Sequence, residues 1–260
     1  MWTLVDNRPV GRILGSRASA SVAQVLVAAA FVPGAPVLVP ELSGPALSEV
    51  APVRAAAFDV CGRLAEMCSR WVLVGAGDAR REMSPRGTLA GFGVDVTVEL
   101  VPESDEPTDA GMPITVLIGG WLRTRTAPHV ALTVEVVDPA APARSCLRQG
   151  SDLRSRLAST PEPVGLLVVA DGATTITEKS PGGQKRGAVE FQDMIDGALA
   201  AADHNTISGL DESRCTEFGV EGRAAWQVAS GAFAGPSLAS EVRYSGAPFG
   251  VGYTVAWWNT

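Results

Sequence analysis

Short runs of consecutive apolar residues, alternating with segments of helical period, constrain this chain more than any other feature. Residues 25–32, 71–75, 130–137 and 164–170 are dominated by Val, Leu and Ala. Such runs read as strands buried on both faces, the pattern of parallel sheets covered by helices on either side. Further strand candidates lie at 94–101, 114–118 and 251–257. Helical segments fall at 45–69, 152–158, 188–202 and 222–233, with a shorter candidate at 238–243. In the first of these, Leu47, Val50, Val53, Ala57, Val60, Leu64 and Met67 recur at three- and four-residue steps, along one helix face. This alternation predicts an α/β fold: a single domain with a mostly parallel or mixed central sheet flanked by helices.

The domain is expected over 24–260, after an N-terminal arm over 1–23 whose periodicity is weak. Arg8, Arg12 and Arg17 precede an apolar run, which imitates a signal peptide. That run is interrupted by Gln24 and leads directly into Pro33, Pro36 and Pro40, so an internal buried strand fits better. No apolar stretch reaches the roughly 18 residues of a membrane span. The acidic, Pro-rich segment 102–113 reads as a surface loop. A net charge of −7 argues against nucleic acid and against an anionic membrane as partners. Cys61, Cys68, Cys146 and Cys215 form no CxxC. The first two, seven apart on a helix, are separated by about 10 Å along its axis, too far for a disulfide. Buried free thiols in a cytoplasmic protein are the expectation. A small molecule and a homo-oligomer are the partners that this composition leaves open.

Two histidines in 260 residues, His129 and His204, cannot build a three-histidine zinc site. Both read as exposed or capping side chains. No P-loop and no G-x-S-x-G elbow occurs, and Gly75-Ala76-Gly77 is only a partial dinucleotide fingerprint, because Arg80 stands where the third glycine belongs. Ligands of open α/β sheets gather at the carboxyl ends of the strands. The segments to inspect are therefore 33–36, 75–78, 119–121 and 171–175, for each of which a short glycine turn is the plain alternative. Asp171 follows a fully apolar run, and its carboxylate is expected at that edge. A turn aspartate bonding backbone amides is the plain alternative. Asp171, Thr174, Thr175, Thr177, Glu178, Lys179 and Ser180 crowd into ten residues, a plausible binding loop on a rigid sheet. Glu221 precedes the helical segment that carries Trp226, where a carboxylate also suits the helix dipole.

Several segments together resemble the class III extradiol ring-cleavage dioxygenases, in particular an actinobacterial branch of subunit-B-like domains distantly similar to Memo-type proteins. They are Phe31-Val32-Pro33-Gly34-Ala35-Pro36-Val37-Leu38-Val39-Pro40-Glu41, then Gly91-Phe92-Gly93-Val94-Asp95-Val96, then Asp171-Gly172. Glu178-Lys179-Ser180-Pro181-Gly182, Trp226-Gln227 and Phe249-Gly250-Val251-Gly252-Tyr253 follow in the same order. The resemblance spans about residues 24–258 and implies the subunit-B fold. It also implies Fe(II) held by two histidines and a glutamate, with a further histidine as acid/base, a set that leaves positions open for catecholate and O₂.

This chain departs from that pattern at each histidine. Gly34 stands at one position, Gly77-Asp78 at the second, and Thr175 where the acid/base belongs. Glu221 corresponds to the carboxylate ligand in one alignment. The expectation is therefore the family fold without its iron site and without a resident cofactor. Two functional classes follow. One is an enzyme with altered chemistry in the same cleft, with Asp171, Thr175 and Glu221 catalytic and Gly34, Asp78, Thr174, Glu178 and Lys179 binding substrate, with or without Mg²⁺ or Mn²⁺. The other is a non-catalytic small-molecule-binding or assembly subunit. An intact ring-cleaving enzyme would need ligands that the sequence does not supply.

Overall fold

The computed structural model describes residues 25–44, 47–78 and 82–260; the arm expected over 1–23 lies outside them. In chain order the elements are β1 (Leu26–Val32), α1 (Pro40–Ser43), α2 (Leu47–Met67), β2 (Arg70–Ala76), β3 (Arg86–Thr88), β4 (Thr97–Glu99), α3 (Ile114–Thr126) and β5 (Ala131–Val137). Then come α4 (Ala143–Leu157), β6 (Val164–Val169), α5 (Ala188–Ala200), α6 (His204–Ser208), α7 (Glu212–Phe218), α8 (Arg223–Ala232), β7 (Ala239–Gly246) and β8 (Tyr253–Asn259).

Among the described residues six strands make one mixed sheet in the order β5-β2-β6-β1-β8-β7. The first four run parallel, while β8 is antiparallel to both β1 and β7. Every residue of β6 is buried because its side chains alternate between two cores. Leu166 and Val168 face α4, α5 and α8, whereas Leu167 and Val169 face α2 and α3. Helix cover on both sides is what permits an unbroken apolar strand. The single-domain α/β expectation holds, with a mixed sheet.

Helix α8 is buried at all ten positions. Its backbone crosses α4 so closely that a Cβ on Gly150 would stand 2.0 Å from the Val228 carbonyl oxygen, and one on Gly231 would stand 2.2 Å from that of Leu147. Glycine at both positions lets the two backbones touch, so α8 sits between α4 and the sheet with its amino end at the sheet's carboxyl edge.

Three expectations need correction. Residues 114–118 are not a strand but the start of α3. The glycines after them are packing residues, not a turn: a Cβ on Gly119 would lie 2.1 Å from Leu73 Cδ1, and one on Gly120 2.5 Å from Val98 Cγ1. The candidate at 94–101 contributes only β4, paired with β3 in a separate ribbon. Residues 238–243 are not helical; they enter β7, the sheet's outer strand, whose half-exposed residues weaken its apolar pattern. The segment 152–158 is helical, but as the end of α4, which starts nine residues earlier, just after Pro142. The loop over 102–113 is irregular and mostly exposed, and all four cysteines are buried and unpaired.

Candidate functional site

A cleft of about 280 Å³ opens at the carboxyl ends of β1, β2 and β6. Ala76 closes β2, Gly34 to Pro36 follow β1, and Val169 to Asp171 end β6. Ile114 and Thr115 come from the first turn of α3, Glu221 and Gly222 from the turn before α8, and Tyr253 from the first residue of β8. The antiparallel direction of β8 brings its amino end to the edge where the parallel strands finish.

Asp171 sits at the centre of this arrangement. Its Oδ1 accepts the Gly34 N–H at 3.0 Å, and its carbonyl accepts the Gly222 N–H at 3.2 Å. The residue is half-buried and lines the cleft. Burial pushes its carboxyl from 3.8 up to about 7; the Gly34 hydrogen bond opposes the rise and the Glu221 carboxylate adds to it. Desolvation disfavours the charged form, so this carboxyl changes protonation near neutrality. Close approach of the loops depends on glycine. A Cβ on Gly222 would fall 2.5 Å from the Asp171 carbonyl, and one on Gly219, already at φ +70°, would fall 2.0 Å from Thr174 Oγ1.

Tyr253 is only 5% exposed, lines the cleft, and has no hydrogen-bond partner for its hydroxyl among the described residues. Burial raises its pKa, with Asp171 and Tyr244 adding to the effect. Thr115 crosses to β2, donating its hydroxyl to the Ala76 carbonyl at 2.9 Å. The remaining wall is apolar, from Ile114, Val169, Ala170 and Val251.

Of the residues singled out in the sequence, Gly34, Asp171, Thr174 and Glu221 share the cleft. Thr175 lies just outside it, buried, donating its hydroxyl to the Phe218 carbonyl at 3.0 Å. Asp78 is exposed beyond the end of β2 and is not a cleft-lining residue. Glu178 and Lys179 are exposed and line a separate surface depression with Thr177, Gln184 and Phe249. The polar crowding over 171–180 has a structural cause as well. Ser180 Oγ donates to the Gly250 carbonyl at 2.7 Å and accepts the Thr177 N–H at 2.8 Å, tying this loop to the approach to β8. Gln192 completes the support: its Oε1 accepts the Ala173 N–H at 2.8 Å and its Nε2 donates to Asp196 at 2.7 Å. Tyr253, Thr115 and Gln192 escaped the sequence reading. The only signals for Tyr253 were its place near the start of the strand candidate at 251–257 and at the end of the Phe249–Tyr253 segment of the resemblance.

The donor set does not fit ferrous iron held by two histidines. His129 is exposed and precedes β5, at the amino end of a seven-residue strand and so about 20 Å from the cleft edge. His204 is not an exposed or capping cation. It opens α6 half-buried, with Nδ1 3.0 Å from Ser230 Oγ and its ring edge-on to Trp258, and burial lowers its pKa. Among the described residues no group of three His, Cys, Asp or Glu side chains is placed to hold a metal ion, and no helix is long and apolar enough to cross a membrane.

No protein-family model and no curated protein matches this chain. Its fold is similar to that of a solved structure from Escherichia coli K12, described as the uncharacterized protein JW3007. The TM-score is 0.51 at 12% sequence identity, over 90% of this chain and 100% of that one. A likeness at that identity concerns the fold alone.

Proposed function

We propose that the chain is an enzyme acting on a small molecule in this cleft, with Asp171 as the group that accepts and returns a proton. The observation that carries the reading is a half-buried carboxyl lining the cleft, held by the Gly34 N–H at 3.0 Å, whose desolvation pushes its pKa up to about 7. General bases work best when poised near the operating pH. Ile114, Val169 and Val251 would exclude water from the reacting molecule, while the Tyr253 hydroxyl would hold or receive a polar atom of it. Glu221, exposed at the rim, would orient the molecule. Thr174 contributes a second hydroxyl.

The resemblance to the class III extradiol dioxygenases supports a shared cleft. With no histidine near it, this cleft would perform proton transfer in place of ring cleavage. The binding-only reading rests on a separate observation, the apolar character of most of the wall. Four buried, unpaired thiols support a cytoplasmic setting. Among the described residues β7 ends the sheet with an unpaired edge, and there a second copy of the chain would extend it.

The test uses 5-nitrobenzisoxazole, a flat neutral compound from which one base removes a C–H proton as the ring N–O bond breaks to give a coloured cyanophenolate. The expected rate rises with pH around a midpoint near 7 and is lost in Asp171→Asn. Equal rates in the two proteins would overturn the assignment of Asp171 as a base.

A further inference from the structure

The cleft also carries information about the charge of the molecule it takes. Its polar side-chain groups are two carboxyls, Asp171 and Glu221, and the hydroxyls of Thr115, Thr174 and Tyr253, of which that of Thr115 is already bonded to the Ala76 carbonyl. No Lys, Arg or His lines it among the described residues. The nearest buried guanidinium, that of Arg223, turns away: it donates to Gln227 at 2.8 Å and to the carbonyls of Pro139 and Ala141 at 2.9 and 2.8 Å. Two backbone amides that would otherwise face an anion are already used, Gly34 N–H by the Asp171 carboxyl and Gly222 N–H by the Asp171 carbonyl. Among the described residues, an anionic substrate would therefore meet two acids and no cationic side chain. Bringing like charges together in a partly desolvated site is strongly unfavourable.

A cation meets the opposite situation. An ammonium lodged between Asp171 and Glu221 would relieve the repulsion between them and recover hydration that Asp171 has lost. Tyr253, a residue only 5% exposed that lines the same cleft, has a hydroxyl with no hydrogen-bond partner among the described residues and can accept a hydrogen bond from the ammonium. The volume sets the size of the body attached to it. A cavity of about 150 Å³ accommodates benzene, so a cleft of about 280 Å³ takes one ring with a short arm. Ile114, Val169 and Val251 provide the apolar wall for that ring.

The geometry points to a small protonated amine with a compact apolar body as the substrate class, its nitrogen between Asp171 and Glu221 and within reach of Tyr253. This rests on the reading of the cleft as a small-molecule site and adds the charge of the molecule to it.

Three probes of matched shape test the inference by calorimetric titration near pH 8: 2-phenylethylamine, 2-phenylethanol and phenylacetate. The amine is expected to bind at least tenfold more tightly than the alcohol, since hydrogen bonds to charged groups are the stronger kind, and phenylacetate is expected to give no measurable binding. Asp171→Asn and Glu221→Gln are each expected to reduce the amine's advantage over the alcohol while the fold, checked by near-UV circular dichroism, is retained. Glu221 is exposed, so its variant reports on charge without disturbing the core. Equal binding of amine and alcohol, or preferential binding of phenylacetate, overturns the amine assignment while leaving the cleft as a small-molecule site. Failure of all three probes to bind overturns both.

Discussion

Replacing Asp171 by asparagine should make this protein more stable, and by an amount that depends on pH. Asparagine keeps an oxygen to accept the Gly34 N–H, is close to the same size, and carries no charge to desolvate. The rise of the Asp171 carboxyl from 3.8 to about 7 means that the folded state prefers the protonated form. Below the unfolded value the wild-type protein bears no penalty. As pH rises, the unfolded chain ionises first, and wild-type stability falls by about 1.4 kcal/mol per pH unit until the folded carboxyl ionises as well. The full penalty above pH 7 is about 4 kcal/mol as an upper bound, because water at the cleft mouth screens part of the charge. Between about pH 5 and pH 8, the advantage of Asp171→Asn should grow by about 2 kcal/mol after that discount. Thermal unfolding of both proteins across this range reads the effect as a widening gap of roughly 4–8 °C. A gap that stays constant with pH, or a variant less stable than wild type near pH 8, would refute the claim that the carboxyl is buried at a cost.

Other consequences lie away from the cleft. Gly150→Ala and Gly231→Ala should each cost about 2 kcal/mol or more in chemical denaturation, because each new methyl meets backbone at the α4–α8 crossing. Gly62→Ala and Gly197→Ala, helical positions with no atom within 4 Å of the added carbon, should instead gain about 0.5–1 kcal/mol. Gln192→Leu leaves the Ala173 N–H without its acceptor and should cost about 1–3 kcal/mol; faster hydrogen exchange at Ala173 is the local readout. A disulfide-exchange reagent should leave the native thiols untouched near pH 8 and modify all four on unfolding. All four are buried, and burial pushes Cys61 up to about 12 and Cys68 and Cys215 up to about 11.

What could be read from the sequence follows the physics of each element. β6 and β1 were visible because burial on both faces removes every polar residue from them. The strand misassigned at 114–118 shows the limit of the same rule, since a short apolar run is equally the start of a buried helix. Gly119 and Gly120 looked like a turn and instead let α3 settle against Leu73 and Val98. Asp171 was found because an acid after a buried parallel strand must stand at the sheet's carboxyl edge. Tyr253 was not, because its place depends on β8 running antiparallel, which no local pattern announces. Ser180 looked functional by crowding, and Thr175 by crowding and by its place in the resemblance; their hydroxyls donate to the backbone carbonyls of Gly250 and Phe218 and so tie the loop to its neighbours.

The protonation of Asp171 itself is the most direct test of the account. Carbon-13 NMR titration of the aspartate carboxyl carbons, with the Asp171 signal identified by its loss in Asp171→Asn, measures it without any substrate. A midpoint of about 7 is the predicted result. A midpoint near 4, the ordinary aspartate range, would contradict the account and leave the cleft without its acid/base group.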